Sequence, residues 1–395
     1  MLFGGTIRRF LAERFNVDAV ASFLDKQAHK RLPPHTGWFH VFGSLALVLF
    51  LSQTITGILL LIYYRPTPDQ AHESIKYITA EVHFGWLYRQ VHAWGASLMI
   101  LCVLVHMMHA FFAGAYKKPR ELTWTTGVFI FVVVITFGFT GYLLPWNQIA
   151  FWATTVGTES ANKVPLIGHW LQYFLRGGDA IGGETLSRFF VLHVIILPWV
   201  LTPLVIIHLV LMRLNNLATT EPVGQEKPMP PEHGIPFFPV HVAKEGVVAV
   251  FMIAVLVTLS VLAPWEIGQP ADPLLTPEHI KPEWYFLPSY QLLKYFEGPY
   301  GAVIGIFACS LPFLLLLLWP FLDRTKHRHP RKRPVSVALG LFAVLAALVL
   351  GFLGHISETE QTLFGRRYHI DLLGRPHLIT DAQATAGADS APAAQ

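Results

Sequence analysis

The chain has 395 residues, is 53% hydrophobic and only 14% charged, and has a formal net charge of +4 with a mean hydropathy of +0.46. Soluble domains carry about a quarter charged residues, so this composition excludes an ordinary globular or disordered chain and points to a polytopic, all-α integral membrane protein. Two cysteines, Cys102 and Cys309, exclude a disulfide framework and a cysteine-ligated metal cluster. Both lie in apolar stretches, where packing is their expected role.

Residues 1–35 form a polar segment with Arg8, Arg9 and Arg14 and no short apolar core followed by a cleavage site. It reads as an interfacial amphipathic segment rather than a signal peptide. Seven stretches are long enough, or nearly so, to cross a bilayer: about 38–62, 86–113, 124–144, 188–212, 245–263, 300–320 and 335–354. They group into a four-span half (36–213) and a three-span half (244–355), separated by a polar, Pro-rich connector (214–243). Long loops interrupt each half at about 145–187 and 264–299. Residues 356–395 read as a polar tail, Ala-rich and without pattern from about 376, where disorder is expected. With the N-terminus cytoplasmic, 18 Lys and Arg lie on the cytoplasmic side against 11 opposite, which supports that orientation. The basic run Arg324–Arg333 is then a positive-inside anchor rather than a nucleic-acid patch.

Four histidines sit inside these apolar stretches: His92 and His106 in the second, His193 and His208 in the fourth. Fourteen helical steps rise about 21 Å and return to within roughly 40° of the same face, and fifteen do nearly the same. Buried imidazole is costly unless a metal or a partner occupies it. The second and fourth spans run in the same direction, so His92 lies level with His193 near the outer face and His106 with His208 near the cytoplasmic face. Each pair has the makings of two axial ligands to one haem iron, with no open position, which suits electron transfer rather than oxygen binding. His109 lies roughly 100° off the face of His92, so His106 is preferred as the ligand.

Arg89 and Arg188 precede His92 and His193 near the outer ends of their helices. They are placed to pair haem propionates or to snorkel to the interface. Gly43 and Gly57, and Gly127 and Gly141, repeat the fourteen-residue step. They either admit a flat macrocycle to the backbone or pack helices closely.

With these residues in order, the chain resembles cytochrome b, the haem-bearing subunit of cytochrome bc complexes. The motifs are GWLYRQVHAWGAS around His92, KKPRELTW at 117–124, GYLLPW at 141–146, TLSRFFVLHVIILP around His193 and DPLLTPEHIKPEWYFLPSYQLL at 272–293. The resemblance covers about residues 30–355. The fifteen-step spacing, Arg213 five residues after His208, and three spans in the second half resemble the plastoquinol-type branch. Val41 stands where that branch has a cysteine that binds an extra haem covalently, so the resemblance implies no covalent haem there. His109 stands where the family often has an arginine.

The resemblance implies two non-covalent haems b and a quinol oxidised on the outer side, with one electron passing to a Rieske iron–sulfur protein and then a c-type cytochrome. The other crosses the membrane to a quinone near the cytoplasm, so that turnover generates proton motive force. It also implies a homodimeric complex in a bacterial inner membrane. Glu283, within Pro282, Trp284 and Tyr285, is the expected acceptor of a quinol proton, with Tyr142 and Tyr290 lining the same pocket. Arg213, Lys244 and Glu245 match positions near the inner quinone site. The alternatives are a di-haem anchor of another quinone-linked dehydrogenase, which lacks the Pro-Glu-Trp-Tyr element, and a proton-relay transporter, which needs no matched histidine pairs.

Overall fold

The computed structural model describes residues 7, 9–226, 233–277, 280–296, 298, 300–363 and 365–379. Among the described residues, seven helices are long and apolar enough to span a membrane: Trp38–Leu61, Gly85–Phe112, Glu121–Leu143, Gly183–Asn215, Phe237–Leu262, Gly301–Leu322 and Pro334–Ile356, here spans one to seven. The protein is an all-α integral membrane protein in its architecture. Spans five, six and seven leave most of their apolar side chains uncovered, as lipid-facing surfaces do.

Spans one to five pack around one apolar cluster that includes Leu45, Leu49, Met99, Ile100, Val134, Leu201 and Leu256. Leu49 lies midway between Gly43 and Gly57, Met99 between His92 and His106, Val134 between Gly127 and Gly141, and Leu201 between His193 and His208. The bundle is therefore layered, with a histidine pair at each end and a dry plug between.

Span four is not one regular helix. Leu192–Ile196, which contains His193, forms a π-turn closed by Leu197 N–H donating to the Leu192 carbonyl. Pro198 follows and has no N–H to continue the α-ladder. A π-turn accommodates one extra residue. The fifteen-residue step from His193 to His208, which on a straight helix overshoots by about 60°, thereby becomes equivalent to the fourteen-residue step from His92 to His106.

The loop at 145–187 folds into two helices, Gln148–Asn162 and Gly168–Arg176. Asn147 Oδ1 caps the first by accepting from Ala150 N–H at 2.9 Å. The loop between spans five and six carries the short helix Leu287–Lys294. At the opposite end, β1 (Arg31–Leu32) pairs antiparallel with β2 (Ile235–Pro236), tying the segment before span one to the entry of span five. Span five starts at Phe237 rather than near 245, because the Phe237–His241 turn continues into the helix.

Residues 359–378 differ from the expected tail. β3 (Thr359–Leu363), β4 (Arg366–Ile370) and β5 (Pro376–Leu378) form an antiparallel sheet with Ile370 buried on one face. The strands are short and mostly polar, so apolar periodicity does not announce them. Disorder is expected from about 376, but Pro376–Leu378 are a paired strand; the remainder, 380–395, lies outside the described residues, as do 227–232 of the connector.

A buried ionic cluster joins the turn after span two to the turn between spans six and seven. Lys117 Nζ lies 2.8 Å from Asp323 Oδ2, each side chain 3% exposed. Tyr116 Oη and Ser336 Oγ donate to the same carboxylate at 2.5 and 2.9 Å. Arg333, fully buried, donates to Tyr116 Oη at 2.8 Å and to the Phe112 carbonyl at 2.6 Å. Burial alone would raise the Asp323 carboxyl, but hydrogen bonds from Lys117, Thr325, Tyr116 and Ser336 outweigh it and hold the group well below the usual carboxylate range. A carboxylate with a depressed folded-state pKa stabilises the fold above its unfolded pKa, and that stability is lost as pH falls through the folded value. Asp323→Asn should leave Lys117 buried without its counter-charge and destabilise the protein by about 3–5 kcal/mol, read as a lower midpoint in thermal unfolding of the detergent-solubilised protein. The wild-type advantage over the variant should shrink below about pH 4.

Candidate functional site

Spans two and four run parallel and bring the four histidines together in two pairs. The ring centres of His92 and His193 lie 6.3 Å apart at an interplanar angle of 70°, and those of His106 and His208 6.4 Å apart at 77°. A metal–imidazole bond of roughly 2.0 Å, with about 1.2 Å from nitrogen to ring centre, separates two axial imidazoles by about 6.4 Å. Both pairs thus fit a single metal ion between facing ring nitrogens. Among the described residues no third His, Cys, Asp or Glu joins either pair. An ion held there would draw its remaining ligands from a cofactor of its own, as in haem.

The four glycines lie against the four rings. A Cβ built on Gly43 would sit 3.0 Å from His106 Cε1, on Gly57 3.3 Å from His92 Cε1, on Gly127 3.2 Å from His208 Cε1 and on Gly141 2.5 Å from His193 Cε1. The fourteen-residue glycine step in spans one and three therefore mirrors the histidine step in spans two and four. The close approach that these glycines permit is first of all to the imidazoles.

Sequence reading missed the residues beside those glycines. Thr56 Oγ1 lies 2.9 Å from His92 Nδ1, Thr126 Oγ1 3.1 Å from His208 Nδ1, and Thr140 Oγ1 3.1 Å from His193 Nδ1. Each hydroxyl donates its one proton to its own helix, to the carbonyls of Ser52, Thr123 and Thr136 at 2.7, 2.9 and 2.9 Å. The oxygen must then accept from Nδ1–H, so Nε2 carries the lone pair toward the facing ring. The signal was present as Thr-Gly dipeptides at 56–57, 126–127 and 140–141.

Beside the His92–His193 pair is a cavity of about 450 Å³ lined by Trp94, Tyr142, Ile149, Trp265 and Glu283, among others. Burial raises the Glu283 carboxyl above its ordinary range. Burial first, then Glu283 and Tyr142, raise Tyr285, whose ring packs against Gly138. Trp284 Nε1–H donates to Ser97 Oγ at 2.6 Å, and Pro282 precedes Glu283 in the same element. Tyr290 lies apart from this cavity: its hydroxyl donates to the Ile280 carbonyl at 3.2 Å and its ring carries Lys294 Nζ at 4.3 Å.

Arg89 donates to the Trp265 carbonyl at 3.1 Å from both terminal nitrogens and to the Glu266 carbonyl at 3.3 Å. Gln90, 4% exposed, makes a reciprocal pair with the Trp265 backbone at 2.9 and 2.7 Å. Together they pin one wall of the cavity. Arg188 pairs with Glu184 at 3.6 Å and covers Gly177. At the other end, Arg213 lies 4.9 Å from the Phe237 ring centre and Lys244 4.4 Å from that of Trp38. Glu245 pairs with His241 at 3.2 Å, so Lys244 and Glu245 engage different partners. His109 packs edge-on against His40, ring centres 4.5 Å apart.

Two family models match this frame: Cytochrome b/b6/petB over residues 27–216 and Cytochrome b(C-terminal)/b6/petD over residues 270–370. The chain is 43% identical to a cytochrome bc complex cytochrome b subunit of Chlorobaculum thiosulfatiphilum, covering 86% of this chain and 77% of that one. It is 37% identical to cytochrome b of Rickettsia bellii (strain RML369-C), covering 85% and 83%. It is 41% identical to cytochrome b6 of Acaryochloris marina (strain MBIC 11017), covering 52% of this chain and 94% of that one. Among solved structures it is similar to a chain of a hyperthermophilic respiratory Complex III, with a TM-score of 0.80 at 34% identity, covering 89% and 92%. The fold is a four-helix bundle with paired histidines, carrying a three-span extension. The chain belongs to the cytochrome b/b6 family.

Gln90→Leu should leave the Trp265 N–H without its acceptor while Arg89 still holds the Trp265 carbonyl, at about 1 kcal/mol. Amide exchange across 263–268, followed by mass spectrometry, should quicken about fivefold.

Proposed function

We propose that the chain is the di-haem cytochrome b subunit of a quinol-oxidising cytochrome bc complex. The carrying observation is the two imidazole pairs with centres 6.3 and 6.4 Å apart at opposite ends of one apolar bundle. His92 and His193 would hold one non-covalent haem b near the outer face, and His106 and His208 the second near the cytoplasmic face. Bound between two imidazoles, haem iron supplies one-electron transfer. The chain's own residues hold it: Thr56, Thr126 and Thr140 orient three ligand rings, and the four glycines admit them.

Quinol oxidation is assigned to the cavity beside His92 and His193. Trp94, Trp265 and Tyr142 support the quinol ring. Glu283 accepts a quinol proton, and burial, by raising its carboxyl above the ordinary range, makes the ionised group a stronger proton acceptor. Pro282, Trp284 and Tyr285 hold that carboxylate in place. Arg213, Lys244 and Glu245 are assigned to quinone reduction at the cytoplasmic end, with the Glu245–His241 pair as a proton source. The four-span half (36–213) is then the haem domain and the three-span half (244–355) completes the quinone sites. Similarity to a cytochrome bc complex subunit and to a respiratory Complex III chain supports partners of the Rieske iron–sulfur and c-type cytochrome kind; on this reading the complex is homodimeric and its turnover feeds proton motive force. The excess of basic residues supports a cytoplasmic N-terminus in a bacterial inner membrane.

A reduced-minus-oxidised spectrum of the purified protein should show b-type absorption that titrates in two steps; its absence would sink the assignment. Glu283→Gln should slow quinol oxidation about 10²-fold or more while leaving that spectrum intact. The proton acceptor must be ionised, so the wild-type rate should climb as pH rises through the raised carboxyl value, and the variant should lose this limb. Unchanged turnover would remove Glu283 from the mechanism.

A further inference from the structure

Three of the four histidines have a hydroxyl acceptor on Nδ1, and the fourth has none. His106 Nδ1 is buried and has no hydrogen-bond partner among the described residues. The cause is visible in register. Each ring meets a glycine, and the residue before that glycine is Thr56, Thr126 or Thr140 for His92, His208 and His193. For His106 the glycine is Gly43, and the residue before it is Phe42. Phe42 packs into the apolar core and against Phe39, ring centres 6.2 Å apart. The nearby Ser44 hydroxyl donates to the Val41 carbonyl at 2.9 Å. His40 and His109, close by, pack against each other.

An acceptor on Nδ1–H pushes electron density into the imidazole and makes Nε2 a stronger donor. A stronger donor stabilises the more positive, oxidised metal and lowers its reduction potential. Resting on the ligand assignment above, we propose that Phe42 is a tuning residue for the haem held by His106 and His208: by denying His106 an acceptor, it raises the reduction potential of that site. The His92–His193 pair has two such hydrogen bonds and the His106–His208 pair one. The difference biases an electron toward the His106 end.

The test is an optical redox titration of the purified complex, comparing Phe42→Thr with Phe42→Val. The two variants remove the same ring volume, and only threonine adds a hydroxyl. Phe42→Thr should lower one of the two midpoints relative to Phe42→Val, with about a tenfold change in the reduced-to-oxidised ratio at fixed potential, equivalent to 59 mV for a one-electron couple. The other midpoint should stay fixed as an internal reference. Thr126→Val, nearly isosteric, should raise that same midpoint, and Thr126→Ser should restore it. Thr56→Val should move the other midpoint instead. Equal midpoints in Phe42→Thr and Phe42→Val would overturn the proposal. If the parent complex shows no two-step b-type titration, the ligand assignment itself has failed.

Discussion

The structure depends on seating an imidazole edge against a bare Cα of the neighbouring helix. A Cβ at Gly141 would come within 2.5 Å of His193, and at Gly43 within 3.0 Å of His106. Real side chains essentially never show the first distance, and at the second the ring would have to give way. The approach therefore fixes which residue of span one faces which residue of span two, and likewise spans three and four. Once one ring is seated, the fourteen-residue step seats the second a bundle-length away. The π-turn at Leu192–Ile196 belongs to the same constraint, because it matches the step from His193 to His208 to the fourteen-residue step of the other histidines and glycines.

Two polar devices hold the bundle where apolar packing cannot. At one end, Lys117, Asp323, Tyr116 and Arg333 form a buried cluster whose members satisfy one another. It joins the four-span half to the last two spans. Buried ion pairs contribute little net stability against apolar substitutes but are costly to break. Its plainest effect is to fix the register of the two halves. At the other end, Arg89, Gln90 and Trp94 bond backbone carbonyls of Ala263, Trp265 and Glu266. Loop backbone placed this way becomes a rigid wall rather than a mobile cover.

Much of this was legible in the sequence. Span two was read as 86–113 and is Gly85–Phe112; span seven was read as 335–354 and is Pro334–Ile356. Long apolar helices declare themselves because a bilayer demands length and hydropathy together. The parallel run of spans two and four followed from counting crossings, and with it the histidine pairing. Less legible were features of local polar geometry. The sequence offers Arg89 as a propionate partner or an interface anchor and gives no sign of its bonds to the Trp265 and Glu266 carbonyls. Tyr290 was expected in the cavity beside Glu283 and packs under Lys294. The π-turn is encoded by a single Pro198, whose effect depends on the carbonyl it leaves unmet. The 359–378 sheet is too short and polar for periodicity to reveal.

The layering bears on how electron and proton travel are separated. Between the two histidine pairs lie Leu49, Met99, Val134 and Leu201, with no titratable side chain in that core cluster other than Cys102. Protons need such side chains or water to cross, whereas electrons need only cofactors within reach. Titratable groups gather instead at the ends: Glu283 and Tyr285 beside one pair, His40, His109, His241 and Glu245 toward the other. On the proposed assignment, protons are released at one surface and taken up at the other while electrons alone traverse the plug. Charge moved in this way through a low-dielectric layer works against the membrane potential, at about 2.3 kcal/mol per charge per 100 mV. On that assignment the dry plug matters to energy conservation as much as the histidines do. A water-bearing or charged residue in place of Leu49 or Leu201 would open a return path for the proton without touching either ligand pair.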